Sequence, residues 1–302
     1  MKRRIRYYVW SLVRYVFQKF QESKEPFPHF LAQQTRIQSR IAELKRELAA
    51  RVPDHPALYG FKVYSQADED GIIEHLLNKL PHELETRCFI EIGCGDGLEN
   101  NTHYMLLKGY RGIWVDGMEN NIRSIQSALG DVQPEQRLLL SRVFVDLDNI
   151  SDLAAAWIAF LGTPDIDFLS IDIDGNDAHL LESALEYLRP KIICVEYNAK
   201  FPPTLAIAMN YDKNHRWPGD DYQGASLLYC ANILDGYHLV ACNLAGTNAF
   251  FVRSDFSNLF ASHSLEQLYQ PFRHELCLQQ PGHPATFKWL RDAIYRQAVP
   301  RL

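Results

Sequence analysis

Phe89-Ile90-Glu91-Ile92-Gly93-Cys94-Gly95-Asp96-Gly97 is an apolar run that ends in an acid and opens into glycine at every second position. The run reads as a buried strand. The loop reads as a sharp exit from a parallel sheet, where a ligand meets backbone with no Cβ in the way. A dinucleotide fingerprint needs glycine at the first, third and sixth places. Gly93 and Gly95 fit the first two, but the sixth place is Leu98. A glycine-rich turn that holds no ligand stays open for the bare pattern.

Outward from this stretch, strand-like and helix-like runs alternate. Cys88–Ile92 is followed by a helix after Asn101, a strand at Gly112–Val115, a helix near Asn121–Leu129 and a strand within Arg137–Val145. A helix from Asn149, a strand at Phe168–Ile173, a helix from Asp177 and a strand at Ile192–Glu196 complete the series. Such alternation predicts an α/β, Rossmann-like, doubly wound and mostly parallel sheet with helices on both faces. Tyr237–Asn243 and Ala249–Arg253 flank a turn at 244–248, so the seven-stranded sheet should end in an antiparallel hairpin. Upstream, Ser65 and Asp68 resemble the N-cap of a helix whose buried face is Ile72, Ile73, Leu76, Leu77 and Leu80.

The chain of 302 residues is long enough for one large domain with extensions, and its 47% hydrophobic and 23% charged composition is ordinary. A net charge of −6 argues against a nucleic-acid partner, because no general basic field attracts phosphates. The six cysteines show no CxxC pair and read as buried reduced thiols, which favours a cytoplasmic location. Three segments follow: a helical extension at 1–58, a main domain at 59–255 and a helical tail at 256–302.

Residues 1–20 carry Lys2, Arg3, Arg4, Arg6, Arg14 and Lys19 without a single acid, and their apolar residues fall at helical spacing. Such a helix either lies peripherally in an anionic membrane interface or packs its apolar stripe on its own domain or a second subunit. Ile37, Ile41, Leu44 and Leu48 extend the pattern as a short coiled-coil-like helix, so residues 1–50 are a candidate homodimer or membrane-surface segment.

In a doubly wound sheet, ligands bind at the carboxyl ends of the strands. Strand two ends in Asp116, about twenty residues past Gly97, the distance at which a carboxylate accepts ribose hydroxyls. After strand three, Asp146 or Asp148 could face an adenine edge. Strand four reads Ile171-Asp172-Ile173-Asp174, and alternation would put both acids on one side. Strand five brings Glu196 and Asn198 beside them. Asp172, Glu196 and Asn198 could hold Mg²⁺. Without a metal, Asp172, Asp174 or Glu196 could act as general base. A third reading has the acids merely cap the next helix through Asp177.

Several motifs together carry a resemblance. They are Tyr64-Ser65-Gln66 through Asp70-Gly71-Ile72, the loop Glu91–Gly97, and Leu169-Ser170-Ile171-Asp172-Ile173-Asp174-Gly175-Asn176-Asp177. To these are added Val195-Glu196-Tyr197-Asn198, Phe201-Pro202-Pro203, Gly224-Ala225-Ser226-Leu227 and Gly246-Thr247-Asn248-Ala249-Phe250-Phe251-Val252. From about Tyr64 to Asp255 the chain resembles the FkbM-like branch of class I S-adenosylmethionine (SAM) methyltransferases. The resemblance implies SAM as cofactor and methyl transfer to a hydroxyl of a sugar, glycan or natural product. It also implies that Glu91, Gly93, Gly95, Gly97 and Asp116 bind SAM, with Asp172 beside the methyl group; Gln66, Asp96, Gly117 and Asp146 complete the expected cofactor set. One departure stands out: Asp68 occupies a place where the family commonly has glycine.

The polar, aromatic insert Tyr211–Gly224 reads either as an unliganded surface loop or as a lid over a small-molecule or glycan acceptor, with Trp217 or Tyr222 stacking on a sugar ring and Asp220 or Asp221 bonding hydroxyls. Two other classes remain open: a nicotinamide-dependent oxidoreductase, which Leu98 disfavours, and an inactive scaffold recruited through its N-terminal helices.

Overall fold

The computed structural model describes residues 28–129, 137–279 and 284–298. The basic stretch 1–20 lies outside the described residues. The chain divides into two compact units, Met1–Glu43 and Leu44–Leu302. The first contributes the start of helix Pro28–Arg51, where Arg40 pairs with Glu43 at 2.6 Å. In the second unit the helix is fastened by Lys45 Nζ, which donates to the carbonyls of Leu58 and Gly60. Leu44 and Leu48 are buried within a single chain, so this end of the coiled-coil-like stripe is covered without a second copy.

The second unit is built on a seven-stranded sheet: β1 (Cys88–Ile92), β2 (Arg111–Asp116), β3 (Leu138–Arg142), β4 (Phe168–Ile171), β5 (Ile192–Glu196), β6 (Tyr237–Cys242) and β7 (Asn248–Arg253). Their order is β3-β2-β1-β4-β5-β7-β6. The first five run parallel and β7 pairs antiparallel to β5 and β6, the Rossmann-like, doubly wound arrangement with a hairpin edge expected from the alternation of elements. Strands β1, β4 and most of β5 are buried on both faces, which explains why they read as unbroken apolar runs. β3 lies at the sheet edge and is half-buried. Trp114, Trp157, Phe89, Phe168, Phe250 and Phe251 fill the layers on either side.

At the amino end of the sheet, Lys191 Nζ donates to Asp167 Oδ1 at 2.6 Å, with side chains 1% and 0% exposed. Asp167 also accepts from the Thr86 and Arg87 N–H groups, so the buried pair fixes the entries to β1, β4 and β5. The loops at the opposite, carboxyl end are thereby left to carry the site.

Residues beyond 255 belong to the same compact unit. Tyr197 Oη donates to Gln270 O at 2.5 Å, Tyr269 Oη to Ala199 O at 2.7 Å, and Gln279 Nε2 to Ala67 O at 2.8 Å. Among the described residues no helix is long and apolar enough to cross a membrane.

Candidate functional site

β1 leaves the sheet through three glycines with positive φ: Gly93 at +94°, Gly95 at +57° and Gly97 at +73°. Each has a different reason to lack a side chain. A Cβ on Gly93 would fall far inside 3.0 Å of the Asp172 carbonyl oxygen, so the exits of β1 and β4 can pass only with glycine there. A Cβ on Gly97 would come within 2.9 Å of Trp114 and 3.0 Å of Phe287. A Cβ on Gly95 would meet nothing among the described residues within 4 Å, so this side of the backbone faces open space.

Asp116, at the end of β2, holds the loop. Its Oδ2 accepts from Gly95 N at 3.1 Å and its Oδ1 from Met118 N at 2.6 Å. Asp96 turns inward on its own loop, accepting from Leu98 N. Gly117 lies under the ring of Phe144, leaving no room for a Cβ. The Arg216 guanidinium covers Phe144 at 4.1 Å from the ring centre.

Two members of the expected cofactor set are engaged elsewhere. Glu91 is 2% exposed and points into the protein. Asn101 N donates to its Oε1 and the Thr102 hydroxyl to its Oε2, while Trp114 Nε1 donates to that hydroxyl at 2.7 Å. Glu91 thus ties the glycine loop to the following helix, and burial raises its pKa to about 7. Asp146 closes the turn before the helix Ile150–Leu161 by accepting from Asp148 N and Asn149 N, and its other oxygen pairs with Lys213 at 3.1 Å. With both oxygens taken, it does not present a free carboxylate to an adenine edge. Gln66 is exposed on the turn before the helix Glu69–Leu77, and its carbonyl accepts from Lys62.

That turn folds differently from the cap read in the sequence. Asp70, not Asp68, is the partner of Ser65: its Oδ2 accepts from Val63 N, Tyr64 N, Ser65 N and the Ser65 hydroxyl at 2.7–2.9 Å. Asp68 and Glu69 reach across to the β6–β7 turn, where they accept from Leu244 N and from the amides of Asn243 and Asn248. Asp68 thus makes contact with this turn and does not face an open crevice.

β4 ends at Ile171, two residues before the strand alternation would require. Asp174 adopts a left-handed conformation with φ +56° and is exposed, and it is not among the acids whose oxygens converge with Asp172. Asp177 takes its place. Ile173 N and Gly175 N each donate to the Asp177 carboxylate at 2.8 Å, curling the loop back. One oxygen each of Asp172, Asp177 and Glu196 then lies within 4.8 Å of the others. Burial and mutual repulsion push Asp172 and Glu196 well above the usual carboxylate range, and burial above all raises Asp177 to about 6.

Asn198 stands apart from this trio. Its Nδ2 donates to the carbonyls of Asp221 and Gln223, both at 3.1 Å, and its Oδ1 accepts from Lys200 N. Its amide pins the long insert and is not free for a metal or an acceptor.

The insert crosses the exits of β3 and β4. Leu147 N donates to Tyr211 Oη, Lys213 pairs with Asp146 and Asp148, and Asn176 exchanges two hydrogen bonds with Asp212. His215 packs on Gly175 and its Nε2 donates to Asp174 O at 3.1 Å. His179 donates to Met209 O and so supports the insert from the helix Asp177–Ala184. At the tip, Trp217 Nε1 donates to Asp220 O, Tyr222 N to Asp220 Oδ1, and Asn210 N to Tyr222 Oη; Asp221 pairs with Lys200. Trp217 and Tyr222 stay 47% and 55% exposed.

Phe144, His215 and Phe287 are parts of this mouth that the sequence reading did not single out. Asp177 was legible in part, since an acid two residues after Gly175 can accept that glycine's N–H and close a tight turn.

No protein-family model and no curated protein matches the chain. Among solved structures, it is similar to an O-methyltransferase from Bacillus cereus in complex with SAH, at 16% identity over 78% of this chain and 94% of that one, with a TM-score of 0.39. A methyltransferase from Geobacter sulfurreducens gives 14%, 78%, 94% and 0.39 on the same measures. The O-methyltransferase TomG from Streptomyces achromogenes, in complex with SAM, gives 16%, 60%, 77% and 0.38. Likeness at this level carries no weight for function.

Proposed function

We propose that the chain is a SAM-dependent methyltransferase that acts on a hydroxyl oxygen of a small-molecule or glycan acceptor. The observation that carries this reading is the open backbone at Gly95, flanked by Asp116 on one side and by the Asp172–Asp177–Glu196 carboxylates on the other. SAM supplies an electrophilic methyl group on a sulfonium, together with an ammonium. The carboxylates of Asp116, Asp172, Asp177 and Glu196, which form no ion pair among the described residues, suit the sulfonium and ammonium of this donor, whose net charge, its own carboxylate included, is singly positive. Asp116 is placed to accept ribose hydroxyls by exchanging its loop N–H partners for them.

The protein's part in the reaction is largely positional. Holding donor and acceptor aligned supplies much of the rate without a covalent intermediate. The Glu196 Oε2 atom, closed off from solvent and lacking a hydrogen-bond partner among the described residues, is the site to receive the proton of the acceptor hydroxyl. The insert, docked over Gly175 and Phe144, excludes water from that transfer.

Titration calorimetry with SAM and with SAH tests the proposal. Binding of both at one site per chain, and its loss in Asp116→Ala, are expected; absence of heat with either overturns it in favour of a scaffold. Binding of NADH in place of SAM would favour the oxidoreductase reading instead.

A further inference from the structure

We propose that Phe287, acting through His103, positions the 94–97 turn for SAM, so that docking of residues 284–294 and binding of SAM are coupled. This inference rests on the methyltransferase reading and gives that site a control from the C-terminal segment, which lies outside the family resemblance.

The turn is anchored from two sides. Gly97 N donates to Cys94 O at 3.1 Å, and Gly95 N donates to Asp116 Oδ2 at 3.1 Å. From the protein interior, His103 Nδ1 donates to Gly97 O at 2.6 Å. His103 is fully buried, and burial lowers its pKa to about 4. The ring is therefore neutral, with its one proton on the nitrogen that faces this carbonyl. Its Nε2 has no hydrogen-bond partner among the described residues, so the ring is placed by Gly97 and by the rings around it. Gly95 lies two residues from Gly97 within the same hydrogen-bonded turn. A shift of Gly97 is thus passed to the backbone that faces the ligand.

The surrounding rings come from three distant parts of the chain. Tyr64 stacks on His103 with 3.8 Å between centroids and 2° between planes, Phe287 lies at 5.3 Å and 24°, and Trp114 at 5.7 Å. Phe287 also stands edge-on to Trp114 at 6.4 Å and reaches the Gly97 backbone itself. It leads into the helix Lys288–Ala298, whose Leu290 and Ile294 are buried. This helix packs on the helices His103–Leu107 and Glu119–Leu129.

Two features set the arrangement apart from ordinary core packing. One side chain touches both the loop backbone and the ring that holds the loop carbonyl, so displacing Phe287 releases both contacts at once. Its helix lies on two other helices at the flank of the sheet, so it can separate from them without parting any strand pair. Elements of this kind open at lower free energy than the core strands. A ligand that needs the turn in place favours the docked segment, and the docked segment favours the ligand by the same factor.

The test uses the full chain with SAH as the probe. Calorimetry should show SAH affinity weaker by about tenfold or more in Phe287→Ala. In the ligand-free variant, the amides of Gly97 and Leu98 should exchange with solvent faster than in the parent. In the parent, saturating SAH should slow amide exchange at 290–294, a readout that packing alone would not move. A second pair covers the case in which Phe287→Ala does not fold. His103→Leu, which lacks the donor, should weaken SAH to a similar extent, and His103→Asn, which keeps an N–H near the Nδ1 position, should recover most of that loss. Equal SAH affinity in parent and variants, or exchange at 290–294 that ignores SAH, overturns this inference and leaves the methyltransferase reading intact. No SAH binding by the parent removes that reading, and this inference with it.

Discussion

Gly93 and Asp172 cross so tightly that the backbone of one lies where a side chain on the other would have to be. This crossing sets the distance between the glycine loop and the carboxylates, and it makes the three loop glycines unequal. Gly93→Ala should be severely destabilising, by more than about 4 kcal/mol, since the clash is with backbone and cannot relax by rotamer change. Gly95→Ala should cost only about 1 to 2 kcal/mol, for its positive φ, and leave a folded chain. The same change puts a methyl group into the open face, so SAM binding should fall sharply. Thermal denaturation with SAM calorimetry separates the two; equal loss of stability would refute the contrast.

Lys191 and Asp167 form the buried pair at the far end of the sheet. Removing one partner leaves the other charge without compensation, at a cost of roughly 3 to 5 kcal/mol. Lys191→Met should lower the urea midpoint accordingly, while ligand binding at the carboxyl end is unaffected at temperatures where the variant stays folded. A loss of less than about 1 kcal/mol would show that the Thr86 and Arg87 N–H groups alone suffice for Asp167.

Stability should fall as pH rises from 5 to 8. Burial raises Asp68 and Glu91 to about 7, and Asp70 and Asp177 to about 6. A carboxyl group whose pKa is higher folded than unfolded contributes stability below its unfolded value of about 4, and that contribution is lost as pH passes its folded value. His55 and His103 oppose this trend. Burial lowers both to about 4, so their contribution is full above about 6.5 and fades as pH falls. Between pH 6.5 and 8 the carboxyl groups act alone. Urea midpoints that climb across that interval would contradict the assignment, and Glu91→Gln should flatten the slope.

Asn198 is the staple of the insert. Asn198→Ala should leave the melting temperature within a few degrees and speed cleavage within 211–224 several-fold under limited proteolysis. Cleavage at the parent's rate would mean that Lys213, Tyr211 and His215 hold the insert on their own.

The parallel strands were readable because a strand covered on both faces is apolar throughout, whatever its neighbours are. The glycine loop was readable because positive φ selects glycine locally. Less of the site could be read, since the partner of a charged group is chosen by distances across the fold. Glu91 and Asp116 both lie near the carboxyl ends of neighbouring strands, yet one is turned inward to Thr102 and the other outward to Gly95.

The amino-acid sequence alone determined the seven strands, their crossover connections and the glycine turn at the mouth, all of which follow from periodicity and backbone preference within short windows. Only the tertiary structure decided that β4 stops at Ile171, that Asp177 displaces Asp174 beside Asp172 and Glu196, and that Phe287 closes under Gly97 from the far end of the chain. These depend on hydrogen bonds and contacts between residues brought together by packing, to which no local pattern is bound.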